Sequence, residues 1–355
     1  MTLTGPVEVV GVGLLGTSVA LACRRAGLDV LLSDVSPEHL RTASGLGAGR
    51  PRAEDDRPQL VVVAVPPDHL ATSVVDALQG TGAVVTDVGS VKEAPLRAVL
   101  SEVGVDDAAR YVGSHPMAGS ERSGPLAASS ALFDGRPWAV VPHGGSAPDA
   151  VALVEALAVL CGAATVRLSP ADHDRAVART SHLPHLAAVL VAGRLADAPA
   201  DHLALSGQGL RDVTRVAGSD PRLWEQIVSA NDQAVLGVLG EVREQLDTLI
   251  DALTTGERPG LHDVLSRGVA GTRAIPGKHG GPARPVRAVF VSVPDHPGEL
   301  ARLFADAGAS EVNIEDVRID HDPARPVGLV ELLVEEVRAD HLLVSLESRG
   351  WVTHR

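Results

Sequence analysis

The side chain best suited to acid–base chemistry is a histidine in a loop of glycines and small polar residues. His115 lies in the segment 113–124, which reads GSHPMAGSERSG. An imidazole titrates near neutral pH and can accept a proton from a reacting hydroxyl. Glycine has no Cβ and lets a ligand approach the backbone, while Pro116 fixes the chain direction beside the ring. The segment fits a catalytic loop or an ordinary surface turn, and the elements before it favour the catalytic loop.

A glycine-rich turn near the start of the chain predicts a dinucleotide site. Residues 7–12 read as a buried strand, 17–26 as a helix and 29–33 as a second strand, which completes a βαβ unit. Residues 11–16, GVGLLG, fit the pattern G-x-G-x-x-G between the first strand and the helix. The glycines permit the tight turn, bring a pyrophosphate to backbone N–H groups and pack helix on strand. The predicted cofactor contacts in this turn are Gly11, Gly13, Leu14, Leu15 and Gly16.

Three further residues complete the predicted cofactor site. Asp34 ends the second strand, where a carboxylate can accept hydrogen bonds from the adenosine ribose and would repel a 2′-phosphate, which favours NAD over NADP. A solvated acid at a strand end is the alternative for Asp34. Val65 and Pro66 end the next long strand, at 60–65, where the cofactor crevice should lie.

A serine follows another strand in the same manner. Ser90 belongs to the segment 87–92, DVGSVK, after a predicted strand at 83–86. Ligands bind at the carboxyl ends of parallel strands, so Ser90 and His115 should both face the nicotinamide end of the cofactor. A hydroxyl and an imidazole there could together hold a substrate alcohol whose carbon gives up hydride.

The order of elements predicts three domains. Residues 1–168 alternate strand and helix, as in an α/β Rossmann domain with a doubly wound parallel sheet that binds NAD. Residues 169–275 carry helical periodicity and predict an all-α domain. Residues 276–286 read as a linker, and 287–355 as βαββαβ, the order of an α+β ferredoxin-like sandwich. Within the first two domains we expect further strands at 111–112 and 138–141, and helices at 172–196, 202–217, 220–253 and 261–275.

Composition narrows the class of partner. The 355 residues are 45% hydrophobic and 21% charged, as in a globular protein, and the net charge is −14 with 2% aromatic residues. This balance argues against nucleic acid and anionic membranes and favours a small-molecule substrate. No apolar run approaches the roughly 20 residues that span a bilayer. The apolar start lacks the basic residues of a signal peptide, so we expect a cytoplasmic protein. Cys23 and Cys161 are expected to be buried free thiols.

Later segments carry a more specific resemblance. They are DVGSVK at 87–92, the His115 loop, HD at 173–174, SHLPH at 181–185 and RDVTR at 211–215, followed by Asp220, Pro221 and Trp224. Over about residues 7–275 the chain resembles the prephenate dehydrogenase family of tyrosine biosynthesis. Residues 287–355 resemble an ACT domain, a module that often binds amino acids.

The resemblance implies an activity and a set of roles. The activity is NAD-dependent oxidative decarboxylation of prephenate to 4-hydroxyphenylpyruvate, in which hydride leaves C4 as the ring carboxylate departs as CO2. His115 would polarise the C4 hydroxyl, and Ser90 would orient that hydroxyl or the cofactor. Arg215 would hold a substrate carboxylate, although a surface arginine paired with Asp212 or Asp220 would fit the same spacing. The implied pocket residues are Asp174, Ser181, His185 and Trp224.

Some of these pocket residues have other readings. His185 and Trp224 would equally suit structural packing. His182 and His185 share a helix face, as zinc ligands often do, but Pro184 lies between them and no acidic third ligand is near. We therefore expect no metal.

The resemblance also implies regulation and assembly. A tyrosine effector would bind where the first strand of the last domain meets its first helix, because helix N-terminal amides can meet a carboxylate. A domain used only for dimer contacts is the alternative. The implied effector contacts are Asp295, Gly298, Glu299, Asn313 and Ile314. The helical domain would form a homodimer.

Two other functions stay open at this point. One is the same reaction on arogenate, which carries an amino group in place of the side-chain keto oxygen. The other is a regulator that binds NAD and an amino acid without turnover.

Overall fold

The computed structural model describes residues 2–118, 123–275, 285–321 and 327–354. The chain forms two compact units, Met1–Asp247 and Thr248–Arg355. Part of the His115 loop, 119–122, lies outside the described residues, as does most of the predicted linker, 276–284. Within the described ranges, no helix is both long and apolar enough to cross a membrane.

The first unit contains an eight-stranded sheet in the order β3-β2-β1-β4-β5-β6-β7-β8. Its strands are β1 (Val7–Val10), β2 (Val30–Ser33), β3 (Arg50–Pro51), β4 (Leu60–Val63), β5 (Val84–Asp87), β6 (Tyr111–Pro116), β7 (Pro137–Val141) and β8 (Ala164–Arg167). The helices around it are α1 (Leu14–Arg25), α2 (Pro37–Gly45), α3 (Pro67–Gly80), α4 (Glu93–Glu102), α5 (Val105–Ala109) and α6 (Pro148–Leu160). The predicted strands all form, and the sequence missed only the two short ones at 50–51 and 164–167.

One strand pair departs from the predicted parallel sheet. β6 and β7 are antiparallel, with His115 opposite Ala139, whereas the neighbouring pairs β5–β6 and β7–β8 are parallel. A parallel return needs a crossover, usually a helix. The described part of the connection from β6 to β7 holds only a short 3-10 turn, Pro125–Ala127. The prediction of a wholly parallel sheet was therefore wrong at this pair.

The inner strands of the sheet are buried on both faces, which is why they read as continuous apolar runs, whereas the edge strands β3 and β8 are exposed. Along β4, Leu60 and Val62 pack in a cluster with side chains of α1 and α6. Val61 and Val63 pack in a second cluster with side chains of α3 and α4. The successive side chains thus enter two separate layers, as the period of a strand requires.

Helices follow the sheet, in more pieces than predicted. They are α7 (Pro170–Val177), α8 (Leu183–Gly193), α9 (Ala200–Leu203), α10 (Gln208–Thr214), α11 (Pro221–Ala230), α12 (Asp232–Thr255) and α13 (Arg258–Ala274). A π-helical turn, Ala178–His182, separates α7 from α8, and Asn231 separates α11 from α12. Pro184 lacks an N–H and its ring crowds the carbonyl of residue 180, so the chain widens into the π turn just before it. The single helices predicted at 172–196 and 220–253 were wrong at these two breaks. The one predicted at 202–217 was also wrong, because the chain leaves the helix between α9 and α10.

The second unit contains a four-stranded antiparallel sheet in the order β10-β11-β9-β12. Its elements are β9 (Val286–Pro294), α14 (Glu299–Gly308), β10 (Ile314–His321), β11 (Val327–Glu335), α15 (Glu336–Ser348) and β12 (Val352–His354). Val289, Val291 and Val293 alternate onto one face and form a core with Leu303 of α14 and Leu342 of α15. The predicted order βαββαβ is the order observed.

A buried ion pair lies at the carboxyl end of β5. Lys92 Nζ donates to Asp87 Oδ1, and the two side chains are 2% and 0% exposed. Tyr111 of β6 donates its hydroxyl to Asp87 Oδ2 at 2.8 Å. Burial, and then the Asp87 charge, raises the pKa of Tyr111 well above its usual value, so the phenol stays a donor. The three side chains hold the carboxyl end of β5 beside the start of β6.

Replacing Lys92 with Met should destabilise the protein strongly, because Asp87 would keep a buried charge without its cation. We expect a loss of about 3–5 kcal/mol in the free energy of unfolding, measured in urea. Arg25→Met is the matched control, since Arg25 and Asp134 are both about half exposed at 45% and 49% and such pairs contribute less than about 1 kcal/mol. Equal losses in the two variants would contradict a structural role for the buried pair.

Candidate active site

The glycine turn between β1 and α1 is shaped by close backbone contacts. Gly11 has a φ of 90°, and a Cβ on it would lie 2.5 Å from the Ala64 carbonyl oxygen. A Cβ on Gly16 would lie 1.9 Å from the Gly11 carbonyl oxygen. At Gly13 a Cβ would meet no atom within 4 Å. The outer glycines are therefore required by the fold, and the middle one leaves open space at the N-terminus of α1, where a pyrophosphate would bind.

Asp34 holds this turn in place. Its Oδ2 accepts from the Val12 N–H at 2.7 Å, and its Oδ1 accepts from the Ser36 N–H at 2.7 Å. Each carboxylate oxygen has a second lone pair, so ribose hydroxyls can still donate to Asp34. The remaining predicted cofactor residues lie at the same sheet edge: Leu14 and Leu15 open α1, and Val65 and Pro66 follow β4. The structure thus brings the eight predicted residues to the carboxyl ends of β1, β2 and β4.

Ser90 and His115 lie at the same edge of the sheet, at the carboxyl ends of the next two strands, β5 and β6. β5 and β6 are parallel, and Asp87 is opposite Gly113. Ser90 therefore follows β5, as expected from the sequence. His115 is the penultimate residue of β6, which extends four residues further than the strand predicted at 111–112, so the expectation that His115 lies in a loop was wrong. Ser90 is half-buried and lines a cavity of about 190 Å³ together with Pro67, Leu70 and Ala94.

His115 contacts a second histidine that sequence reasoning did not assign. Its Nδ1 lies 3.0 Å from Nε2 of His173, at the N-terminal part of α7. Nδ1 of His173 lies 2.8 Å from Oδ1 of Asp174. The exposed fractions of His115, His173 and Asp174 are 9%, 1% and 2%. The three side chains form a buried line from the carboxylate to the imidazole at the strand end.

Asp174 is held by the protein's own donors. Its Oδ1 accepts from the Lys92 N–H at 2.8 Å, and its Oδ2 accepts from the Glu93 N–H at 2.9 Å. These amides open α4 and have no partner within that helix, and the positive end of the helix favours the negative charge. The geometry thus differs from the expected lining role: Asp174 joins α7 to α4, and each of its oxygens already accepts a hydrogen bond.

Asn231 orients a third buried histidine, His182. The Asn231 side-chain amide donates to the Asp174 carbonyl oxygen at 2.9 Å and lies 3.2 Å from Nδ1 of His182. Because a carbonyl only accepts, the amide nitrogen faces both groups, and Nδ1 of His182 is an acceptor. A neutral His182 then carries its proton on Nε2, which is buried without a partner among the described residues.

Burial keeps these imidazoles neutral. It lowers the pKa of His115 well below its usual value, and charge on His173, Lys92 and His182 lowers it further. Burial also lowers the pKa of His173, of His182 to about 4, and of His185. A neutral imidazole has a free lone pair at neutral pH, so His115 can accept a hydrogen bond from a substrate hydroxyl.

The predicted pocket residues are only partly brought together. His185 stacks on Trp224 with ring centroids 3.5 Å apart and planes within 3°, and Trp224 is also edge-on to His182. Nδ1 of His185 is buried without a partner in the described part of the chain. Ser181 is half-buried in the π turn beside His182, and π turns are frequent at functional sites.

Arg215 differs from the buried histidines in its exposure to solvent. It is exposed at the start of a 3-10 turn, Arg215–Gly218, that packs beside α8. Within the described residues no carboxylate lies within 4 Å of its guanidinium; Asp212 instead accepts from Gln208, and Asp220 from the Arg222 N–H. The surface ion pairs considered from the sequence do not form, and the guanidinium is available to a ligand.

The residues expected to bind an effector lie in the second unit. Asp295 is in the exposed loop after β9, Gly298 precedes α14 with a φ of 95°, and Glu299 is the first residue of that helix. Asn313 and Ile314 lie at the start of β10, where the Asn313 amide donates to Glu315 at 2.8 Å.

Sequence reasoning missed five residues of the site, which are Asp87, Lys92, His173, His182 and Asn231. The sequence held a signal for two of them. Asp87 and Lys92 lie five residues apart at the end of a predicted buried strand, where a charged side chain needs a partner. His173 could be suspected only from its place beside Asp174. Nothing local marks Asn231, whose partners are 49 and 57 residues away.

Comparison with known proteins identifies the family to which the chain belongs. The family model of the prephenate dehydrogenase nucleotide-binding domain matches residues 19–167, and that of the dimerization domain matches 169–267. A probable prephenate dehydrogenase of Streptomyces niveus is 38% identical over 357 residues, which covers 97% of this chain and 98% of the relative. The chain belongs to the prephenate dehydrogenase family. The resemblance read from the motifs is thereby confirmed.

The chain is similar to solved structures of both a prephenate dehydrogenase and an arogenate dehydrogenase. The Aquifex aeolicus prephenate dehydrogenase, in complex with hydroxyphenyl propionate and NAD+, has a TM-score of 0.69 at 27% identity and covers 76% of this chain and 98% of its own. The arogenate dehydrogenase of Synechocystis has a TM-score of 0.64 at 26% identity, and the match covers 75% of this chain and 98% of that enzyme.

Two glycine variants of the family's nucleotide-binding turn should separate cofactor contact from folding. Gly13→Ala should leave the melting temperature unchanged and weaken dinucleotide affinity roughly tenfold, the equivalent of one lost hydrogen bond. Gly16→Ala should destabilise the unliganded protein by about 1–3 kcal/mol through the clash with Gly11. Thermal unfolding and calorimetric titration with NAD measure the two effects. A Gly13→Ala protein that binds NAD normally would contradict this placement of the pyrophosphate.

Proposed function

We propose that this chain catalyses the NAD-dependent oxidative decarboxylation of prephenate to 4-hydroxyphenylpyruvate and CO2. The observation that carries the proposal is a buried, neutral His115 at the sheet edge where the dinucleotide turn also opens. A base held neutral beside a hydride-acceptor site suits the oxidation of an alcohol carbon. Membership of the prephenate dehydrogenase family supports prephenate as the source of that alcohol.

The residues present fit NAD. The open space at Gly13, the free amides at the start of α1 and the second lone pairs of the Asp34 carboxylate match a pyrophosphate and a ribose. When bound, NAD supplies the acceptor for the hydride. The free 2′-hydroxyl of its adenosine ribose would donate to Asp34, whereas the Asp34 carboxylate would repel the 2′-phosphate of NADP.

The chemistry at the substrate needs an acceptor for one hydrogen bond. As hydride leaves C4, the bond between the C4 oxygen and the ring shortens, and His115 Nε2 accepts the hydrogen bond that polarises the hydroxyl. The C1–carboxylate bond then breaks, its electron pair completes the aromatic ring, and CO2 leaves. The product is a phenol that keeps the hydroxyl proton, so His115 accepts a hydrogen bond during the step without a net transfer of the proton. Aromatisation drives the step.

The other predicted residues bind and orient the substrate. Ser90 would orient the hydroxyl or the nicotinamide from the end of β5, and the Arg215 guanidinium would hold a carboxylate through two parallel contacts. The His185–Trp224 stack, with Ser181 beside it, would line the substrate pocket. The unpartnered Nε2–H of His182 adds a donor for a substrate oxygen.

Arogenate is the second candidate substrate, because a solved arogenate dehydrogenase is among the similar structures. An acid free to pair with the arogenate ammonium would favour it. The pocket acid predicted from the sequence, Asp174, already accepts from two backbone amides and from His173. This favours the keto acid prephenate over the amino acid.

Steady-state assays with both substrates and both cofactors test the function. We expect kcat/KM to be at least about tenfold higher for prephenate than for arogenate, and NAD to be preferred over NADP. Comparable rates with arogenate would refute the substrate assignment. The absence of turnover with either substrate would favour a regulator that only binds NAD.

His115→Asn tests the assigned base. The variant should bind NAD normally and lose on the order of 10²–10⁴ in turnover, the contribution of a positioned general base. Activity of the wild type should fall in acid as His115 becomes protonated, below its usual titration range because its pKa is lowered. Unchanged turnover in His115→Asn would remove His115 from the mechanism.

We also infer the organisation suggested by the sequence: an NAD-binding domain at 1–168, a helical domain at 169–275 and an ACT-like domain at 287–355. The matching dimerization-domain family model supports a homodimer. So do exposed apolar side chains along one face of α12, namely Val242, Leu246, Ile250 and Leu253, at 39%, 51%, 51% and 64% exposure. Such a stripe is expected to be covered by a second copy.

Tyrosine is the proposed effector of the ACT-like domain, bound at the loop before α14. Its carboxylate would meet the free amides at the start of that helix, with Asp295 and Asn313 facing its amino group. Asp295→Ala combined with Asn313→Ala should weaken tyrosine inhibition at least about tenfold at unchanged kcat. The control is Asp340→Ala, an exposed acid of α15. Inhibition that persists in the double variant, or after deletion of 287–355, would place the effector elsewhere.

A further inference from the structure

We propose that His173 and Asp174 are positioning residues that fix the tautomer of His115, with the proton on Nδ1 and the lone pair on Nε2. The proposal rests on the proposed role of His115 and goes beyond it, because it names what makes that role possible. An imidazole with the opposite tautomer would present an N–H to the substrate hydroxyl and could not accept from it.

The assignment follows from counting protons along the buried line. The Asp174 oxygens face three donors, which are the amides of Lys92 and Glu93 and the ring of His173. A carboxylate accepts only, so Nδ1 of His173 carries its proton. Burial keeps His173 neutral by lowering its pKa, which leaves its Nε2 as a lone pair.

The next contact then has one solution. Nε2 of His173 and Nδ1 of His115 are 3.0 Å apart, a distance that needs one proton between them. His173 has none to give at that nitrogen, so Nδ1 of His115 donates. His115 is itself neutral, and its single proton is used by this bond. Nε2 of His115 is left as the acceptor.

The surroundings oppose the charged alternatives. Burial lowers the pKa of His115, and neighbouring His173, Lys92 and His182 lower it further. Burial also lowers the pKa of His173; Asp174 and Asp87 raise it, and Lys92 lowers it. Lys92 is committed to Asp87, and Asp174 is committed to the amides of α4. The anchor of the line is therefore part of a helix terminus, and it cannot rotate without leaving those amides unpaired.

Two variants of His173 differ only in how far they reach. His173→Asn keeps an amide N–H where Nδ1 of His173 meets Asp174, but it ends short of His115. His173→Gln is one methylene longer and can bring an amide oxygen to Nδ1 of His115. We expect kcat of His173→Asn to fall on the order of 10²-fold, the lower range of what a general base supplies. His173→Gln should recover at least about tenfold of this loss, with KM for prephenate and NAD affinity unchanged in both.

The tautomer itself is observable by long-range ¹H–¹⁵N spectra of the histidine-labelled full chain, with His115→Asn to assign the signals. We expect His115 to be protonated on Nδ1 in the wild type and on Nε2 in His173→Asn. A purely structural role for His173 would not move this signature. A wild-type His115 protonated on Nε2 would overturn the proposal, and this measurement needs no His173 variant to fold.

These outcomes separate the role of His115 from that of His173 and Asp174. If His115→Asn keeps its turnover, the proposed function of His115 fails. If His115→Asn is inactive while His173→Asn keeps full kcat and the Nδ1-protonated form, only the positioning role of His173 and Asp174 fails.

Discussion

The carboxylate of Asp174 is the constraint on which the site depends. It accepts from the two amides that open α4 and from His173, and its own backbone carbonyl accepts from Asn231. One residue therefore connects the edge of the sheet, the start of α7 and the junction between α11 and α12. Charge-assisted hydrogen bonds to a helix N-terminus are among the stronger local interactions in proteins. Because one buried residue, Asp174, makes all these contacts, the histidine rings linked to it have little freedom to rotate.

Burial then determines what those histidines can do. A histidine in water near neutral pH is a mixture of charged and neutral forms and of two tautomers. Here desolvation removes the charged form of His115, and the hydrogen-bond line selects between the tautomers. Lys92 contributes twice, since its charge disfavours protonation of His115 while its pairing with Asp87 fixes β5 beside β6. The protonation state of His115 is thus set by its surroundings more than by its own chemistry.

The sequence was sufficient for the parts of the site that are local in the chain. The glycine turn, Asp34 and Ser90 each follow a strand, and His115 lies near the carboxyl end of one. A parallel sheet brings strand ends to one edge, so their proximity could be predicted. The antiparallel return of β7 could not be predicted, because the pattern of the connecting loop is ambiguous. The part of that connection that the structure describes holds only a short 3-10 turn. Pro184 gave a visible reason for the break between α7 and α8, which was interpreted only as evidence against a metal.

The pocket residues mark the limit of such reasoning. Asp174 and Arg215 are both charged residues of helical segments with family precedent, and nothing in their neighbours distinguishes them. The structure gives Asp174 backbone amides 81 and 82 residues away and leaves Arg215 exposed without a carboxylate partner within the described residues. The two residues differ in solvation. A buried carboxylate needs hydrogen-bond donors from the protein, whereas an exposed guanidinium is solvated by water and stays free to bind an anion. In the proposed mechanism, a substrate with two carboxylates needs the second kind of group, and a base of fixed tautomer needs the first.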